Sequence, residues 1–358
     1  MFFNLGETIR ERGGGRGDPW ESAWRVDGFL ATGRHFRHYL VRNLNAELNQ
    51  QQAVLKVVKY DPERCADARY VQALRERLRR ERDTLAHFSP RLPEPIDFFE
   101  IDNGQDPFRG FGAEAFLTSE PVLVRSLVHG ESLSKLMQTR GAPPAPAEAL
   151  LLTLARVCSF LDELHAGGRG WLFWEMTPDH VIVDPAQDFE PSFVGCSNFR
   201  MLRQGATVPA EPGAARPLAP DAGYAAPEQL SGASADARAD IYNLGALLFH
   251  VFSGIDPRDL ADDVAARRPL PKSSAPAAER DEGKDEAAAL AFCEELREVI
   301  MRFCRRNLKG LGIHRARVRH IILRALSPDP ADRFAGPLEM RDELLASLTR
   351  SMPVAWPG

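Results

Sequence analysis

The stretch WEMTPDHVIVD, from Trp174 to Asp184, joins a long apolar segment to a predicted hairpin. Residues 147–165 place apolar side chains at helical spacing, and residues 180–194 read as two short strands around the turn sequence DPAQDFEP. The polar side chains of this stretch include Glu175, Thr177 and His180, which carry a carboxylate, a hydroxyl and an imidazole. A carboxylate such as that of Glu175 can accept a proton from a hydroxyl.

The region before this stretch predicts a small antiparallel sheet with one helix. Residues 66–88 place Val71, Leu74, Leu78 and Leu85 at three- and four-residue steps, which predicts an amphipathic helix packed on the sheet. Short segments rich in β-branched and apolar residues predict the strands at 24–30, 38–42, 53–60, 97–101, 115–118 and 121–127.

The region after it is mainly helical. The segment IYNLGALLFHVF predicts a strongly apolar helix, while residues 204–223 are rich in Pro, Gly and Ala and predict a loop. Residues 271–287 contain no apolar side chain larger than Ala, so we expect a flexible insertion there. Further amphipathic helices are predicted at 289–307, 315–326 and 338–348.

Composition places the chain among globular proteins. It has 358 residues, of which 44% are hydrophobic and 27% charged, and its formal net charge is -5. A negative net charge gives no long-range attraction to nucleic acid or to anionic lipid, so we predict no nucleic-acid partner.

The five cysteines are scattered without metal-binding or disulfide-framework spacing, which favours a reducing compartment. The first residues do not resemble a signal peptide, and no uninterrupted run of 18 apolar residues occurs. We therefore expect a cytoplasmic protein with no membrane insertion.

Two charged residues fall in apolar patterns and need partners. Lys56 lies in the predicted strand AVLKVVKY, and Glu81 shares a helix face with leucines, so the two are natural partners for each other. The alternative is that Glu81 belongs to a solvated basic helix and pairs with Arg77 or Arg80 at its surface. Spacing alone leaves both interpretations open.

Three segments in the second half carry a family resemblance: GYAAPEQL from Gly223, DIYNLG from Asp240 and DPADRF from Asp329. In this order they resemble the Ser/Thr protein kinases of bacterial type, and the resemblance extends over residues 25–348. It implies a bilobal, protein-kinase-like α+β fold. The expected parts are an N-terminal arm (1–24), an N-lobe with the antiparallel sheet and one helix (25–128), a larger helical C-lobe (129–350) and a tail (351–358).

The resemblance also assigns roles to individual residues. Lys56 matches the strand lysine, and Glu81 matches the helix glutamate that pairs with it to position nucleotide phosphates. It implies that Glu228 forms an ion pair with Arg333, and that Asp240 hydrogen-bonds the backbone of the catalytic loop.

The chemical positions depart from the family pattern. Glu175 stands at the base position, Thr177 at the phosphate-contacting lysine position and His180 at the metal-binding asparagine position. The metal-binding D-F-G motif aligns with Gly195-Cys196-Ser197, which has no carboxylate. Because Mg²⁺ prefers oxygen ligands, we predict no metal site, no tight binding of Mg-ATP and at most weak binding of ATP.

A different D-F pair, Asp188-Phe189, comes only 13 positions after Glu175, whereas the family spacing is about 18. We interpret this pair as part of the hairpin turn.

The nucleotide-covering loop and the rear of the nucleotide pocket differ as well. Gly33 is the one glycine kept in LATGRHFRHYLV, and Arg34, His35 and Arg37 surround it, either as direct contacts to an anion or as a solvent-facing hairpin tip. Arg125 matches the gatekeeper position, where a guanidinium would fill the pocket or approach Glu81.

These departures favour a pseudokinase that binds a protein partner as a scaffold or allosteric regulator in signalling. The rival hypothesis is an atypical ATP-dependent Ser/Thr kinase or nucleotidyl transferase that uses Lys56, Glu81 and Glu175. A third is a degraded kinase domain whose use lies in the insertion or the N-terminal arm.

Overall fold

The computed structural model describes residues 3–11, 23–44, 52–65, 67–85, 91–102, 119–138, 146–166, 170–202, 220–270, 282–308, 311 and 314–349. The chain divides into two compact units. The first comprises Met1–Val128 together with Gly195–Ser197, and the second comprises His129–Val194 together with Asn198–Gly358.

The first unit is built on one antiparallel six-stranded sheet and one helix. The strands follow the order β1-β2-β3-β4-β6-β5, and helix α1 (Ala68–Leu85) packs on β4, β5 and β6. The strands are β1 (Thr8–Arg10), β2 (Ala23–Thr32), β3 (Phe36–Asn43), β4 (Gln52–Val58), β5 (Pro95–Asp102) and β6 (Ser119–Ser126).

Alternation along the strands separates two faces of this sheet. Leu55 and Val124 point into a core that also contains Trp24 and Tyr39. Lys56 lies opposite Leu123 across the β4–β6 ladder, and Val54 lies opposite Arg125. Because opposed residues share a face and neighbours along a strand do not, Lys56 and Arg125 are on the same face of the sheet.

Helix α1 begins where its sequence supplies a cap. Asp67 Oδ1 accepts hydrogen bonds from the backbone nitrogens of Arg69 and Tyr70, at 2.9 and 3.4 Å. The helix buries Leu74, Leu78 and Glu81. A carboxylate is thus carried into the interior on the same stripe as the leucines.

The second unit is mainly helical, with short strands around the Trp174–Asp184 stretch. Its helices are α2 (Leu133–Gln138), α3 (Ala147–Ala166), α4 (Pro227–Ser231), α5 (Arg238–Ser253), α6 (Pro257–Ala265), α7 (Glu282–Asn307), α8 (Arg315–Ala325) and α9 (Pro337–Thr349). Its strands are β7 (Glu131–Ser132), β8 (Trp171–Leu172), β9 (Val181–Asp184), β10 (Glu190–Phe193) and β11 (Arg200–Met201).

Helix α5 is the central element of this unit, and it is buried on almost every side. A Cβ atom on Gly245 would lie 2.7 Å from Cβ of Ala325 in α8, so only glycine permits this close approach of the two helices. The helix ends at Gly254, whose positive φ of 71° allows its N–H to bond the carbonyl of His250.

Two expectations about boundaries differ from the structure. Helix α7 begins at Glu282, so the last six residues of the predicted flexible insertion, 282–287, are helical. These residues extend the N-terminal end of a helix whose apolar residues follow from Ala289, and acidic side chains are favourable near a helix N-terminus, which the argument from missing large apolar residues ignored. Within the predicted N-terminal arm, Thr8–Arg10 adds a strand to the edge of the sheet, and Ile9 enters the core.

The predicted strand at 115–118 and residues 271–281 of the insertion lie outside the described residues, as does most of the predicted loop at 204–223. Among the described residues, no helix combines the length and the apolarity needed to cross a lipid bilayer.

Candidate functional site

Lys56 and Glu81 form an ion pair inside the first unit. Lys56 Nζ donates to Glu81 Oε2, and the two side chains are 2% and 1% exposed. The ring of Phe36 lies over the ammonium, with its centroid 4.1 Å from Nζ. Burial lowers the pKa of Lys56, and the charge of Glu81 opposes that shift. The structure therefore places Glu81 in the interior with Lys56, not at a solvated helix surface.

Arg125 is buried on the same face of the sheet and is 5% exposed. Its Nη1 lies 3.4 Å from the carbonyl oxygen of Ser126, which is a weak hydrogen bond. Burial lowers the pKa of Arg125, and the nearby charge of Glu81 opposes the shift. Of the two outcomes expected for this guanidinium, the structure places it near Glu81, although no direct Arg125–Glu81 ion pair occurs among the described residues.

Cys196 completes this charged neighbourhood. The thiol is fully buried, and burial raises its pKa, with Glu81 adding to the shift and Lys56 and Arg125 opposing it. The side chain is therefore a neutral thiol, and it lies near these charged side chains without adding a charge of its own.

The β2–β3 hairpin tip is tied to its own backbone and to Lys59. Gly33 N donates to the carbonyl oxygen of Phe36 at 2.8 Å, and Lys59 Nζ donates to the carbonyl oxygen of Gly33 at 3.2 Å. The backbone N–H of Gly33 therefore already donates a hydrogen bond within the chain. Arg34 is exposed, whereas Arg37 is buried, so the basic residues of this loop do not form one uniform solvent-facing group.

His35 lies among cations. Its pKa is lowered to about 2, first because it is buried and then because Arg77, Arg34, Arg64 and Lys59 repel the charged form. The imidazole is therefore neutral at physiological pH.

In the second unit, Asp240 at the start of α5 holds the Trp174 stretch through its carboxylate. It accepts hydrogen bonds from Phe173 N at 2.7 Å and from Trp174 N at 2.8 Å. His165 Nε2 lies 2.9 Å from the same carboxylate. Trp174 has a positive φ of 72°, and such a conformation persists in a bulky residue only where surrounding contacts hold it.

Glu175 and His180 are both engaged within the second unit. Asn198 Nδ2 donates to Glu175 Oε2 at 2.7 Å, and Glu175 is 9% exposed. Thr177 N donates to His180 Nδ1 at 3.3 Å, which places the ring proton on Nε2. The imidazole therefore directs its one lone-pair nitrogen toward Thr177.

Arg333 and Glu228 form a buried bidentate pair. Nη1 and Nη2 of Arg333 donate to the two carboxylate oxygens at 2.6 and 2.9 Å. The remaining donors reach the carbonyl oxygens of Ser327, Pro328 and Arg238, so all five N–H groups of this guanidinium are used. The pair links α4 to the segment that precedes α9.

Asp188 and Phe189 lie in the turn between β9 and β10, as the sequence predicted. Their φ values are 55° and 56°, and the strands on either side pair in antiparallel register. Arg156 Nη2 donates to Asp188 Oδ2 at 2.8 Å, so this carboxylate faces helix α3.

The sequence did not predict three polar partners of these motifs. In the sequence, His165 is simply a residue near the end of an apolar helix, and nothing indicates its contact with Asp240, which lies 75 positions away. Gln229 donates to the carbonyl oxygen of Trp174, and Asn198 reaches Glu175. Polarity within a buried pattern is the one signal that could have found Gln229 and Asn198.

The chain is similar in sequence to several serine/threonine-protein kinases of bacteria. The chain is 27% identical over 273 residues to the serine/threonine-protein kinase PknL of Mycobacterium bovis, covering 73% of this chain and 59% of that protein. It is 27% identical to Pkn1 of Myxococcus xanthus over 66% of this chain and 29% of that protein. It is 24% identical to pkn3 of the same organism over 90% of this chain and 49% of that protein. No protein-family model matches the chain.

Solved structures give the same fold. A double mutant of the PknI kinase domain of Mycobacterium tuberculosis superposes with a TM-score of 0.57 at 23% identity, covering 97% of this chain and 99% of that domain. The PknI kinase domain itself gives 0.54 at 21% identity. The chain is a homologue of bacterial serine/threonine protein kinases. This kinase homologue has a protein-kinase-like fold, and it spans less than two thirds of the length of these three curated relatives.

The residues that the sequence predicts at the metal-ligand positions, Gly195 and His180, do not fit Mg²⁺. Gly195 has no side chain, and His180 offers an imidazole nitrogen that already accepts from Thr177. Magnesium requires a near-octahedral set of oxygen donors. Among the described residues, no group of three or more His, Cys, Asp and Glu side chains is arranged to hold a metal ion.

Proposed function

We propose that this chain is a pseudokinase: a kinase-like domain that serves as a protein-binding scaffold or allosteric regulator in a signalling complex. The proposal rests on which positions differ from the kinase pattern and which are kept. Gly195 and His180 occupy the metal-ligand positions, while the Glu228–Arg333 pair and the Asp240 contacts, which hold the fold, are intact.

Phosphoryl transfer explains why this change matters. The reaction depends on positioning and on neutralising the charge of the transferred group, and divalent metal ions supply most of that neutralisation. Glu175 keeps a carboxylate at the base position, but a base accelerates proton transfer by only about 10² to 10⁴-fold and does not replace the metal. The residues therefore support binding better than catalysis.

We also propose that the partner is a protein and that the chain works in the cytoplasm. All five cysteines are buried thiols outside any disulfide bond, which suits a reducing compartment such as the cytoplasm. The net charge of -5 favours a protein partner over nucleic acid.

A thermal-shift titration tests the proposal. The full chain is titrated with ATP in EDTA, in Mg²⁺ and in Mn²⁺, since a ligand that binds only the native state raises the melting temperature. We expect no metal-dependent stabilisation and no transfer of the γ-phosphate to a protein substrate. Metal-dependent stabilisation with phosphate transfer that Lys56→Ala abolishes would overturn the proposal.

The second candidate function is an atypical ATP-dependent Ser/Thr kinase or nucleotidyl transferase. It is favoured by the buried Lys56–Glu81 pair and by the carboxylate of Glu175. Incubation with ATP labelled at the α- or the γ-phosphate separates the two activities, because nucleotidyl transfer leaves the α-label on protein and kinase activity leaves the γ-label. A Glu175→Gln variant then tests the base.

A further inference from the structure

The end of helix α7 and the start of helix α8 form one positively charged surface in the second unit. Arg315, the first residue of α8, donates from Nη2 to the carbonyl oxygens of Arg306 at 3.2 Å and of Leu308 at 2.6 Å. Arg319, one turn further along α8, lies near the last turns of α7, since its charge opposes the rise in the pKa of the Cys304 thiol that burial causes. We call this the α7–α8 basic surface, and its members are Arg302, Arg305, Arg306, Arg315 and Arg319.

Most of the positive charge of the α7–α8 basic surface has no carboxylate to balance it. Arg302 is 73% exposed and lies 3.7 Å from Glu298, which is 63% exposed, so solvent screens this pair strongly. Within the part of the chain that the structure describes, no ion pair joins the other four arginines to a carboxylate. By contrast, Arg317 on the same helix α8 pairs with Glu343 of α9 at 2.9 Å. The surface is thus positive on a chain whose formal net charge is -5.

The stability of the two helices does not account for this concentration of arginines. A basic residue near a helix C-terminus is favourable, and Arg315 already donates to the carbonyl groups that the end of α7 presents. Arg302 and Arg306 are four positions apart on α7, and so are Arg315 and Arg319 on α8. Like charges at this spacing repel and destabilise a helix. An anionic ligand would offset that repulsion.

The charge of helix α7 reverses along its length, which limits the extent of the basic surface. Residues 282–298 contain six acidic and two basic side chains, whereas residues 299–307 contain three arginines and no acid. From Arg302 to Arg306 the helix rises by only roughly 6 Å. A short acidic peptide segment matches this length, whereas a nucleic acid has a continuous backbone charge that would extend to the acidic part of the helix.

We propose that the α7–α8 basic surface binds a short segment rich in Asp and Glu on the partner protein. The fork of a guanidinium matches a carboxylate through two parallel hydrogen bonds. Exposed charges of one sign also attract an oppositely charged partner before contact, over about 10 Å at ordinary salt concentrations. This inference rests on the proposed function, because it specifies the chemistry of the protein partner proposed there.

The test measures binding of a fluorescein-labelled peptide of about ten glutamates to the full chain by fluorescence anisotropy, in EDTA and without nucleotide. This peptide has no hydroxyl side chain, so its binding does not report recognition of a kinase substrate. We expect the wild type to bind it, and the Kd to rise steeply between about 50 and about 300 mM NaCl because salt screens exposed charges. An uncharged peptide of alternating glycine and asparagine should not bind.

The double variant Arg305→Gln, Arg306→Gln removes two charges from the surface and should weaken peptide binding at least about tenfold. The matched control is Arg267→Gln, Arg268→Gln. It also removes two consecutive exposed arginines from the second unit, but these two already pair with Glu295 at 2.7 and 3.2 Å. The control should bind the peptide within about twofold of the wild type. Both variants should melt close to the wild type, because the substituted side chains are exposed.

Arg319→Gln tests the α8 side of the surface independently. It removes one charge from a different helix and should weaken peptide binding about threefold. An unchanged Kd in both Arg319→Gln and Arg305→Gln, Arg306→Gln would place the bound peptide elsewhere on the chain and overturn the proposal.

Other results would also overturn it. They are the absence of peptide binding by the wild type, an equal loss of affinity in the Arg267→Gln, Arg268→Gln control, and tighter binding of a single-stranded RNA of the same charge or of vesicles containing phosphatidylserine. Self-association of the chain that Arg305→Gln, Arg306→Gln abolishes would identify a second copy as the occupant instead. None of these measurements involves a metal ion or a nucleotide, so their failure leaves the thermal-shift test of the proposed function unchanged. Metal-dependent activity in that test would not by itself produce the peptide result.

Discussion

Arg333 and Glu228 are 105 positions apart in the chain, and the structure joins them through two parallel hydrogen bonds of 2.6 and 2.9 Å. The arginine side chain is fully buried and the glutamate side chain is 10% exposed, so solvent screens the pair little. Each partner needs the other, because either charge alone in this interior would be uncompensated.

Arg333→Met should therefore destabilise the second unit by about 3–5 kcal/mol, since it leaves Glu228 without its guanidinium. Urea unfolding measures the change. Arg341→Met is the control, because Arg341 is partly exposed and pairs with its neighbour Asp342, an arrangement worth about 0–1 kcal/mol. Equal effects of the two substitutions would contradict the role given to the Glu228 pair.

Asp240→Asn should loosen the Trp174 stretch. The amide keeps the size of the carboxylate but replaces one acceptor oxygen with a donor that faces other donors, which costs about 1–3 kcal/mol. Hydrogen exchange at the amides of Phe173 and Trp174 should accelerate in this variant. Asp179→Asn is the control, because Asp179 is exposed. If exchange at these amides is unchanged in Asp240→Asn, the Asp240 carboxylate does not protect them.

Glu81→Gln should cost more stability than Lys56→Met. The first substitution leaves two buried cations without a carboxylate, and we expect a loss of about 3–5 kcal/mol. In Lys56→Met, the positive charge of Arg125 still attracts Glu81, and this attraction offsets part of the loss of the lysine charge. Urea unfolding of both variants decides the order, and a larger loss in Lys56→Met would contradict the influence of Arg125 on Glu81.

Stability should fall in mild acid partly through His35. Its pKa is about 2 in the folded chain, against an ordinary value near 6.5. The unfolded chain therefore takes up a proton that the folded chain refuses, so the stabilising difference is complete above pH 6.5 and is lost as pH falls from 6.5 toward 2. Once the unfolded histidine is protonated, the free energy of unfolding falls by about 1.4 kcal/mol per pH unit.

His35→Gln removes this titration, so its free energy of unfolding should decline less between pH 7 and 5 than that of the wild type. His320→Gln, at an exposed position on α8, should keep the wild-type slope. Parallel slopes for His35→Gln and the wild type would exclude the histidine as the source.

Restoring both oxygen ligands should restore metal dependence. The double variant Gly195→Asp, His180→Asn should gain stabilisation by ATP that requires Mg²⁺, whereas His180→Asn alone should not. Gly195 has a φ of 83°, which aspartate tolerates better than most residues, so some loss of basal stability is expected. A metal-dependent shift in the wild type, or none in the double variant, would contradict the assignment of the loss to these positions.

The sequence by itself determined the fold class and many of the elements. Helical and strand periodicity identified α1, α3, α5 and the β9–β10 hairpin, because each pattern depends on which side chains near one another in sequence face the core. Resemblance in order and spacing pointed to the Lys56–Glu81 and Glu228–Arg333 pairs, and the structure brings both together. The start of α7 was missed because a polar segment can still be a stable helix.

Only the tertiary structure decided how the polar groups are satisfied. The contact of His165 with Asp240, the engagement of His180 by Thr177 and the nearly unpartnered burial of Arg125 depend on the positions of atoms that packing brings together. A hydrogen bond forms within a few tenths of an ångström and a limited range of angles, and no pattern of residue types fixes a side chain that closely. Sequence thus sets which groups enter the interior, and packing sets which of them find a partner.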